Sequence, residues 1–213
     1  MARQLVSLRI LSIIVGSLLL ILGAALLVQR YQATNTGTPP AADKTVTATT
    51  DRPAETPVDG ATYQTAPDQP RRITITSAGI DGFIQSVGKD QHGNIAAPNN
   101  VHLAGRYTGS VKPGDEGLSI VDGHVQGRYS AGIFKNLATV KTGAQIDVEY
   151  GDGTQHRFQA VTIKTVDTTE AAKELYARLP DVPKQLNLIT CAGRYDEKSG
   201  SYAQRVIVAT KAL

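Results

Sequence analysis

An uncharged stretch near the N-terminus constrains the organisation of this chain more than any other feature. Residues 10–28 are 19 apolar or small residues without a charged side chain. A helix of this length spans about 28 Å, close to the thickness of the bilayer hydrocarbon. Arg3 and Arg9 precede the stretch, and this positive charge predicts a cytoplasmic N-terminus. We therefore expect residues 1–30 to be a cytoplasmic stub and a single-pass anchor in the cell membrane, with the rest of the chain extracytoplasmic.

A cleaved signal peptide is the alternative interpretation of the same stretch. The apolar run is longer than the ~7–15 residues of a usual signal-peptide core. The sequence Ala-Ala-Leu-Leu-Val-Gln near its end is a poor small-x-small cleavage site. Both observations favour an uncleaved anchor.

The composition of the next segment is typical of a tether. Residues 31–70 include ten Thr, seven Ala and six Pro, with hardly any large apolar side chains. Such a segment cannot bury enough surface to offset its ordering entropy, and its prolines favour extended conformations. We expect a flexible extracytoplasmic tether over residues 31–70 and a folded catalytic domain over residues 71–213.

The sequence after residue 70 is dominated by signals for β-structure. Gly151-Asp152-Gly153 separates two alternating segments and indicates a hairpin. One helix is expected where Asp167 and Glu170 resemble a capping box, and Pro180 ends it. The pattern predicts a mostly β domain, a closed barrel of about eight strands with one or two short helices. The predicted strands include 72–75, 118–121, 144–150, 156–163, 186–190 and 206–210.

Charge and composition exclude several function classes. The net charge is only +3, and no basic run with interleaved aromatic residues is present, so we expect no nucleic-acid partner. The histidines lack metal-ligand spacing, and one cysteine cannot build a thiolate zinc site. We expect neither a metal nor a cofactor.

Cys191 is the only cysteine, and it ends the apolar run 186–191. The next apolar run, 205–209, begins with Arg205. Antiparallel pairing of the two runs would bring the thiol beside the guanidinium, and a neighbouring basic group favours the nucleophilic thiolate. A buried, inert cysteine is the alternative, but a lone thiol in an extracytoplasmic domain favours a chemical role.

A histidine and a second arginine complete the set of candidates. His124 follows another strand-like run and could supply an acid–base partner for the thiol. Arg194 competes with Arg205, but we place Arg194 in a flexible connection after Cys191 and favour Arg205. His92, His102 and His156 are expected to have ordinary structural roles.

Three short segments resemble the sortase family, the membrane-anchored cysteine transpeptidases of Gram-positive-type cell envelopes. They are Gly123-His124-Val125, Leu188-Ile189-Thr190-Cys191 and Tyr202-Ala203-Gln204-Arg205-Val206-Ile207-Val208. Residues 134–137 and 141–146 also look like the family's segment after the catalytic histidine. The resemblance covers residues 71–213 and is closest to the actinobacterial classes E and F. It implies a sortase-like barrel.

The resemblance also implies a reaction and its residues. Cys191 would attack a threonine carbonyl in an LPxTG-like or LAxTG-like sorting signal and form a thioester. His124 would protonate the leaving amine and later accept a proton from the incoming one. Arg205 would stabilise the oxyanion or position the substrate, while Thr190 and Ala192 would contact the substrate. The partners would be secreted proteins with a sorting signal and an amine of a peptidoglycan precursor or pilin.

Two other functions remain open from the sequence. One is an extracytoplasmic cysteine hydrolase, and the other is a noncatalytic wall-binding β-domain. The order His124 before Cys191 differs from papain-like enzymes, and the absence of Trp argues against stacking on carbohydrate. Asp122 departs from the small residue common in the family before Gly-His. Its carboxylate would either stabilise the imidazolium or point to water.

Overall fold

A computed structural model describes residues 45–47, 52–198 and 200–213, which contain eight strands and one α-helix. Two 3-10 turns, Thr76–Ala78 and Leu137–Thr139, complete the regular structure. In chain order the elements are β1 (Pro70–Ile75), β2 (Ile80–Val87), β3 (Ala104–Tyr107), β4 (Gly117–Gly123), β5 (Gln145–Tyr150), β6 (Gln155–Asp167), α1 (Thr168–Leu175), β7 (Lys184–Asp196) and β8 (Ser201–Ala212).

The predicted membrane anchor, residues 10–28, lies outside the described residues. No helix within the described part of the chain is long and apolar enough to cross a bilayer. The anchor and the domain boundaries therefore stay predictions.

The eight strands close into a barrel in the order β1-β2-β3-β4-β7-β8-β6-β5. Strands β2 and β3 are parallel, as are β4 and β7, and the other neighbouring strands of the barrel pair antiparallel. The predicted mostly β, closed barrel of about eight strands is confirmed. Strands β2 and β3 were not among the predicted segments. Strand β3 has only four residues, Ala-Gly-Arg-Tyr, and lacks a readable alternation.

Alternate residues of the strands face the interior and form the main core. Phe134 and Phe158 are among its largest fully buried side chains, and Ile73, Val121 and Leu188 are also inaccessible. Burial of apolar area at about 25 cal/mol per Å² is the main stabilising contribution in such a core. The alternation on β7 places Leu186 and Leu188 inside, so the odd-numbered residues of this strand face outward.

The outer face of β7 is covered by α1. A second apolar cluster contains Leu175 of the helix with Ile120 and Ile207, and Ile189 packs against it. Two buried polar side chains of β7, Gln185 and Asn187, fasten the end of the helix. Asn187 Nδ2 donates to the carbonyl of Leu175 (2.7 Å), and Gln185 Nε2 donates to the carbonyl of Ala177 (2.9 Å). Cys191 continues this outward row beyond the edge of the helix.

Helix α1 begins after Asp167, as predicted, but the capping box is wrong. The Asp167 side chain makes no capping hydrogen bond and instead accepts one from Gln204 Nε2 (3.2 Å). Strand β8 pairs Gln204 with Asp167, so a cross-strand donor competes successfully with the helix N-terminus. The helix ends at Leu175, before Pro180 is reached.

The segment before the barrel makes more contacts than its composition indicates. Tyr63 stacks on Phe83 of β2 with ring centroids 4.8 Å apart, and its hydroxyl donates to the carbonyl of Ile84 (2.7 Å). Val46 forms a parallel bridge with Val87. An aromatic ring, main-chain hydrogen bonds and several side-chain hydrogen bonds hold this segment, and none of these contacts leaves a hydrophobic pattern in the sequence.

A chain that begins at Arg71 should therefore be less stable than one that begins at Thr45. We expect a loss of at least about 2 kcal/mol, because an aromatic pair contributes about 0.5–1.5 kcal/mol beyond its burial and each of the several lost hydrogen bonds contributes about as much. Urea denaturation of both chains measures the difference. Equal midpoints would show that the contacts of residues 45–70 contribute nothing.

Candidate active site

Cys191 and Arg205 lie opposite each other on neighbouring strands. The register of the β7–β8 hairpin pairs their Cα atoms directly. The predicted juxtaposition of thiol and guanidinium is thus confirmed. Arg205 Nη1 donates to the carbonyls of Tyr202 and Gln204 (2.8 Å each), and Nη2 donates to Ser201 Oγ (3.3 Å). These hydrogen bonds hold the guanidinium in one place beside the half-buried thiol.

The β4–β7 pairing brings His124 to the same level. These strands are parallel, and the last pair of their register is Asp122 with Ile189. Two further residues along each chain are His124 and Cys191, so continuation of the register sets them side by side. The topology therefore directs His124, the residue that follows β4, toward Cys191 on β7, and it pairs Cys191 with Arg205 on β8.

Thr190 and Ala192, the predicted substrate contacts, are engaged within the protein. Thr190 is 4% exposed, and its hydroxyl donates to the carbonyl of Gly123 (2.7 Å). This bond ties β7 to β4 immediately before His124. Ala192 packs against the main core. Both residues thus hold the site together, and their contact with substrate stays a prediction.

The imidazole of His124 is fixed by the main chain of a neighbouring loop. Its Nε2–H donates to the carbonyl of Pro98 (2.8 Å). Burial lowers the pKa of His124, and this hydrogen bond offsets part of the effect. The resting imidazole is therefore neutral at physiological pH. With the proton on Nε2, the lone pair is on Nδ1.

The thiol of Cys191 is also neutral at rest. Burial raises the pKa of Cys191, the charge of Arg205 lowers it in part, and the carboxylate of Asp122 raises it further. The sequence predicts a thiolate favoured by the arginine. The arginine does act in that direction, but the cost of burying the charged form outweighs it. The pKa of the thiol consequently lies above its ordinary value.

Asp122 carries a buried oxygen without a hydrogen-bond partner. Its Oδ1 is inaccessible and unpaired, so the interpretation that the whole carboxylate points to water is wrong. The side chain lies over Gly105, where an added Cβ would collide with Oδ1 and with Pro98. Burial raises the pKa of Asp122 well above its ordinary value, because no cation compensates the charge. Burial therefore favours the protonated form of this carboxyl group.

Tyr202 is a member of the site that residue patterns alone did not single out. Burial raises the pKa of Tyr202, and the charge of Cys191 adds to this effect, while a hydrogen bond with the Gln126 side chain opposes it. The ring meets Tyr195 edge-on with centroids 5.1 Å apart. The two tyrosines pair across β7 and β8 beyond the thiol. Their position three and four residues from reactive groups was the only sequence signal.

The connection after Cys191 is more ordered than predicted. Strand β7 continues to Asp196 and β8 starts at Ser201, so most of residues 192–204 are a hairpin rather than a flexible loop. Arg194 lies on β7, at a bulge between Ala192 and Tyr195, and is exposed. Arg205, not Arg194, is therefore the guanidinium paired with the thiol.

The other histidines have ordinary surroundings. His102 bonds through Nε2 to the carbonyl of Glu55 (2.9 Å), and His156 contacts the ring of Tyr150 (4.8 Å). His92 is exposed in a turn. Over residues 45–47, 52–198 and 200–213, no group of three His, Cys, Asp or Glu side chains could hold a metal ion.

Comparisons with known proteins identify the family. Residues 73–213 match the family model described as Sortase domain. The chain therefore belongs to the sortase family, whose members are cysteine transpeptidases. A search of curated proteins found no match.

Solved sortases share the fold. A lid mutant of sortase A from Corynebacterium diphtheriae is 22% identical, with a TM-score of 0.53 over 68% of this chain and 69% of that one. Sortase C1 from Streptococcus agalactiae is 21% identical, with a TM-score of 0.51 over 67% and 66% of the two chains. The pilus-related sortase C of Group B Streptococcus is 18% identical, with a TM-score of 0.50 over 74% of each. At these identities the similarity is one of fold.

The pH dependence of Cys191 alkylation should report how burial and the charge of Arg205 together determine the pKa of the thiol. Iodoacetamide reacts with the thiolate, and the chain has one cysteine, so the rate against pH reports one pKa. We expect a midpoint above the ~8.5 of an unperturbed cysteine. Arg205→Met should move the midpoint to higher pH, whereas Arg194→Met should leave it in place. A midpoint that stays constant in Arg205→Met would contradict the electrostatic role of Arg205.

The buried acid should leave a signature in the pH dependence of stability. A carboxyl whose pKa is raised by folding loses stability as pH rises from its ordinary value near 3.8 to the raised value of the folded state. Asp122→Asn removes this loss. The melting temperature of the variant relative to the natural chain should therefore increase with pH across that window. Glu197→Gln, at an exposed turn, serves as the charge control, and a constant difference for Asp122→Asn would contradict the buried acid.

Proposed function

We propose that this sortase cleaves an LPxTG-like or LAxTG-like sorting signal through a thioester at Cys191 and transfers the acyl group to an amine. The observation that carries the proposal is the pairing of Cys191 with Arg205 on β7 and β8, next to β4, after which His124 follows directly. A nucleophile, an acid–base group and a fixed cation are the parts that acyl transfer requires.

The first half-reaction forms the thioester. The Cys191 thiolate attacks the threonine carbonyl carbon, a C–S bond forms, and the carbonyl oxygen becomes an oxyanion near Arg205. The intermediate collapses as the C–N bond breaks, and the departing amine takes a proton from protonated His124. Since both groups are neutral at rest, the reactive form is the minor charged pair, and Arg205 favours it by stabilising the thiolate.

The second half-reaction releases the product. An incoming amine attacks the thioester carbon and gives a proton to neutral His124, and the C–S bond breaks to regenerate the thiolate. Water in place of the amine would give hydrolysis. Exclusion of water during the lifetime of the thioester therefore decides between transferase and hydrolase.

The acceptor and the location are parts of the same proposal. The acceptor would be an amine of a peptidoglycan precursor or of a pilin, and the donors would be secreted proteins with a sorting signal. The quoted motifs favour a class E or F enzyme. Residues 10–28 would anchor it in the cell membrane, with residues 31–213 extracytoplasmic.

A peptide-transfer assay separates this proposal from the other two functions. Residues 45–213 are incubated with an LPxTG-like or LAxTG-like peptide and a glycine-bearing amine, and the products are identified by mass spectrometry. Transfer product supports the proposal. Hydrolysis alone supports a cysteine hydrolase, and absence of thiol-dependent turnover supports a wall-binding domain.

Substitution of Cys191, His124 or Arg205 should reduce transfer to different extents. Cys191→Ala should remove all turnover without loss of the folded barrel, because the half-buried sulfur lies on the outer face of β7. His124→Ala should lower kcat by about 10²–10⁴-fold, and Arg205→Met by about 10²–10³-fold. Melting curves check that each variant is folded. Transfer retained by Cys191→Ala would overturn the assignment of the nucleophile.

A further inference from the structure

The carboxylate of Glu55 binds the turn that follows His124. Its Oε1 accepts from the main-chain N–H of Arg128 (2.7 Å), and its Oε2 accepts from the N–H of Tyr129 (2.9 Å) and from Ser130 Oγ (2.8 Å). Three donors thus converge on one side chain from outside the barrel. The hydrogen bond from Ser130 makes the largest contribution to a lowered pKa of Glu55, and the two main-chain donors lower it further. The carboxylate therefore stays charged at physiological pH.

The main chain around Glu55 is tied to a second loop beside His124. The Ala54 N–H donates to the carbonyl of Asn99 (2.8 Å), and the Val101 N–H donates to the carbonyl of Ala54 (2.9 Å). The Asn100 amide donates to the carbonyl of Thr56 (3.0 Å). We call residues 54–56 the clamp. The loop that it grips begins with Pro98, whose carbonyl accepts the hydrogen bond of His124.

The turn held by Glu55 has little else to hold its tip. Residues 125–132 leave β4 and return through a narrow bridge between Gln126 and Ala131. Tyr129 at the tip is 83% exposed, so it contributes no burial that would fix the turn. After the turn, the Phe134 N–H donates to the carbonyl of His124 itself (3.0 Å). Movement of the turn would therefore be transmitted directly to the backbone of His124.

We propose that Glu55 is a positioning residue for His124, which it keeps level with Cys191 by clamping the 127–130 turn and the 98–101 loop together. The inference rests on the proposed acid–base role of His124. Glu55 lies outside residues 73–213, which match the family model, so it belongs to this chain's own N-terminal segment. Through these contacts Glu55 supports the position of His124 from outside the region that matches the family model.

The clamp has a kinetic consequence. Without the carboxylate, three hydrogen-bond donors at the turn lose their shared acceptor, and the imidazole samples positions away from the leaving amine. A misplacement of about 1 Å can cost about 10²-fold in rate. We expect Glu55→Ala to lower kcat for transfer by about 10- to 100-fold and to leave KM for the peptide within about twofold.

A set of three variants tests the role of the carboxylate. Glu55→Gln keeps the shape but replaces one acceptor oxygen with a donor, and its kcat should fall between those of the natural chain and Glu55→Ala. Glu55→Asp retains the charge and serves as the alternative variant if Glu55→Ala does not fold. Asp59→Ala is the matched control, because Asp59 is an acidic residue close by in the chain whose side chain accepts a hydrogen bond from the local Ala61 N–H (2.9 Å). Its kcat should be unchanged.

A double substitution distinguishes positioning from general stabilisation. If Glu55 acts through His124, Glu55→Ala should cause no further loss of kcat in a His124→Ala background. An equal loss in both backgrounds would overturn the proposal. The rate of Cys191 alkylation at fixed pH should also be unaffected by Glu55→Ala, because the thiol is fixed by β7 and β8.

A measurement without turnover keeps this inference separate from the proposed function. Titration of the His124 ring followed by NMR should show its pKa returning towards the ordinary value in Glu55→Ala, because the loosened ring gains water. The Asp59→Ala control should titrate like the natural chain. An unchanged His124 titration together with an unchanged kcat would overturn the clamp, whereas absence of transfer in the natural chain would overturn only the proposed function.

Discussion

The site depends on the parallel pairing of β4 with β7. These strands are joined by about sixty residues of intervening chain, and no local turn determines their register. The hydrogen bond from Thr190 to the carbonyl of Gly123 secures that register at the point where it matters, one residue before both reactive groups. A slip of one residue would turn Cys191 into the core and bring its neighbour outward. The antiparallel strand β8 then places Arg205 opposite Cys191.

Burial and the charge of Arg205 have opposite effects on the pKa of Cys191. Burial raises the pKa of the thiol and lowers that of the imidazole, so both are neutral at rest. Arg205 partly offsets the cost of the thiolate, whereas an ionised Asp122 would add to it. Burial of Asp122 raises the pKa of its carboxyl group, which opposes that ionisation. The same burial that suppresses the resting charges strengthens the interactions of the charges formed during reaction.

The parts of this structure that are local in sequence could be predicted, and the parts that depend on distant contacts could not. The approach of Arg205 to Cys191 follows from two consecutive strands. The start of α1 follows from composition, but its cap does not, because Gln204 arrives from another strand. The residues after Cys191 are polar, so the sequence does not indicate that β7 and β8 continue through them as a hairpin. His124 was a candidate because it follows a strand-like run, but no periodicity in the sequence reveals which strand is its parallel neighbour.

The close approach of Gly105 to Asp122 couples two positions that are adjacent only in the folded barrel. A side chain at 105 would occupy the space of the buried carboxyl oxygen, and an ionisable group at 122 needs that space to be empty. A side chain therefore cannot be added at 105 while Asp122 and Pro98 keep their positions. A small residue at 122 would remove the clash with the carboxyl oxygen, but Pro98 would still meet a Cβ at 105. Across the family, an acid before Gly-His should therefore coincide with glycine on β3.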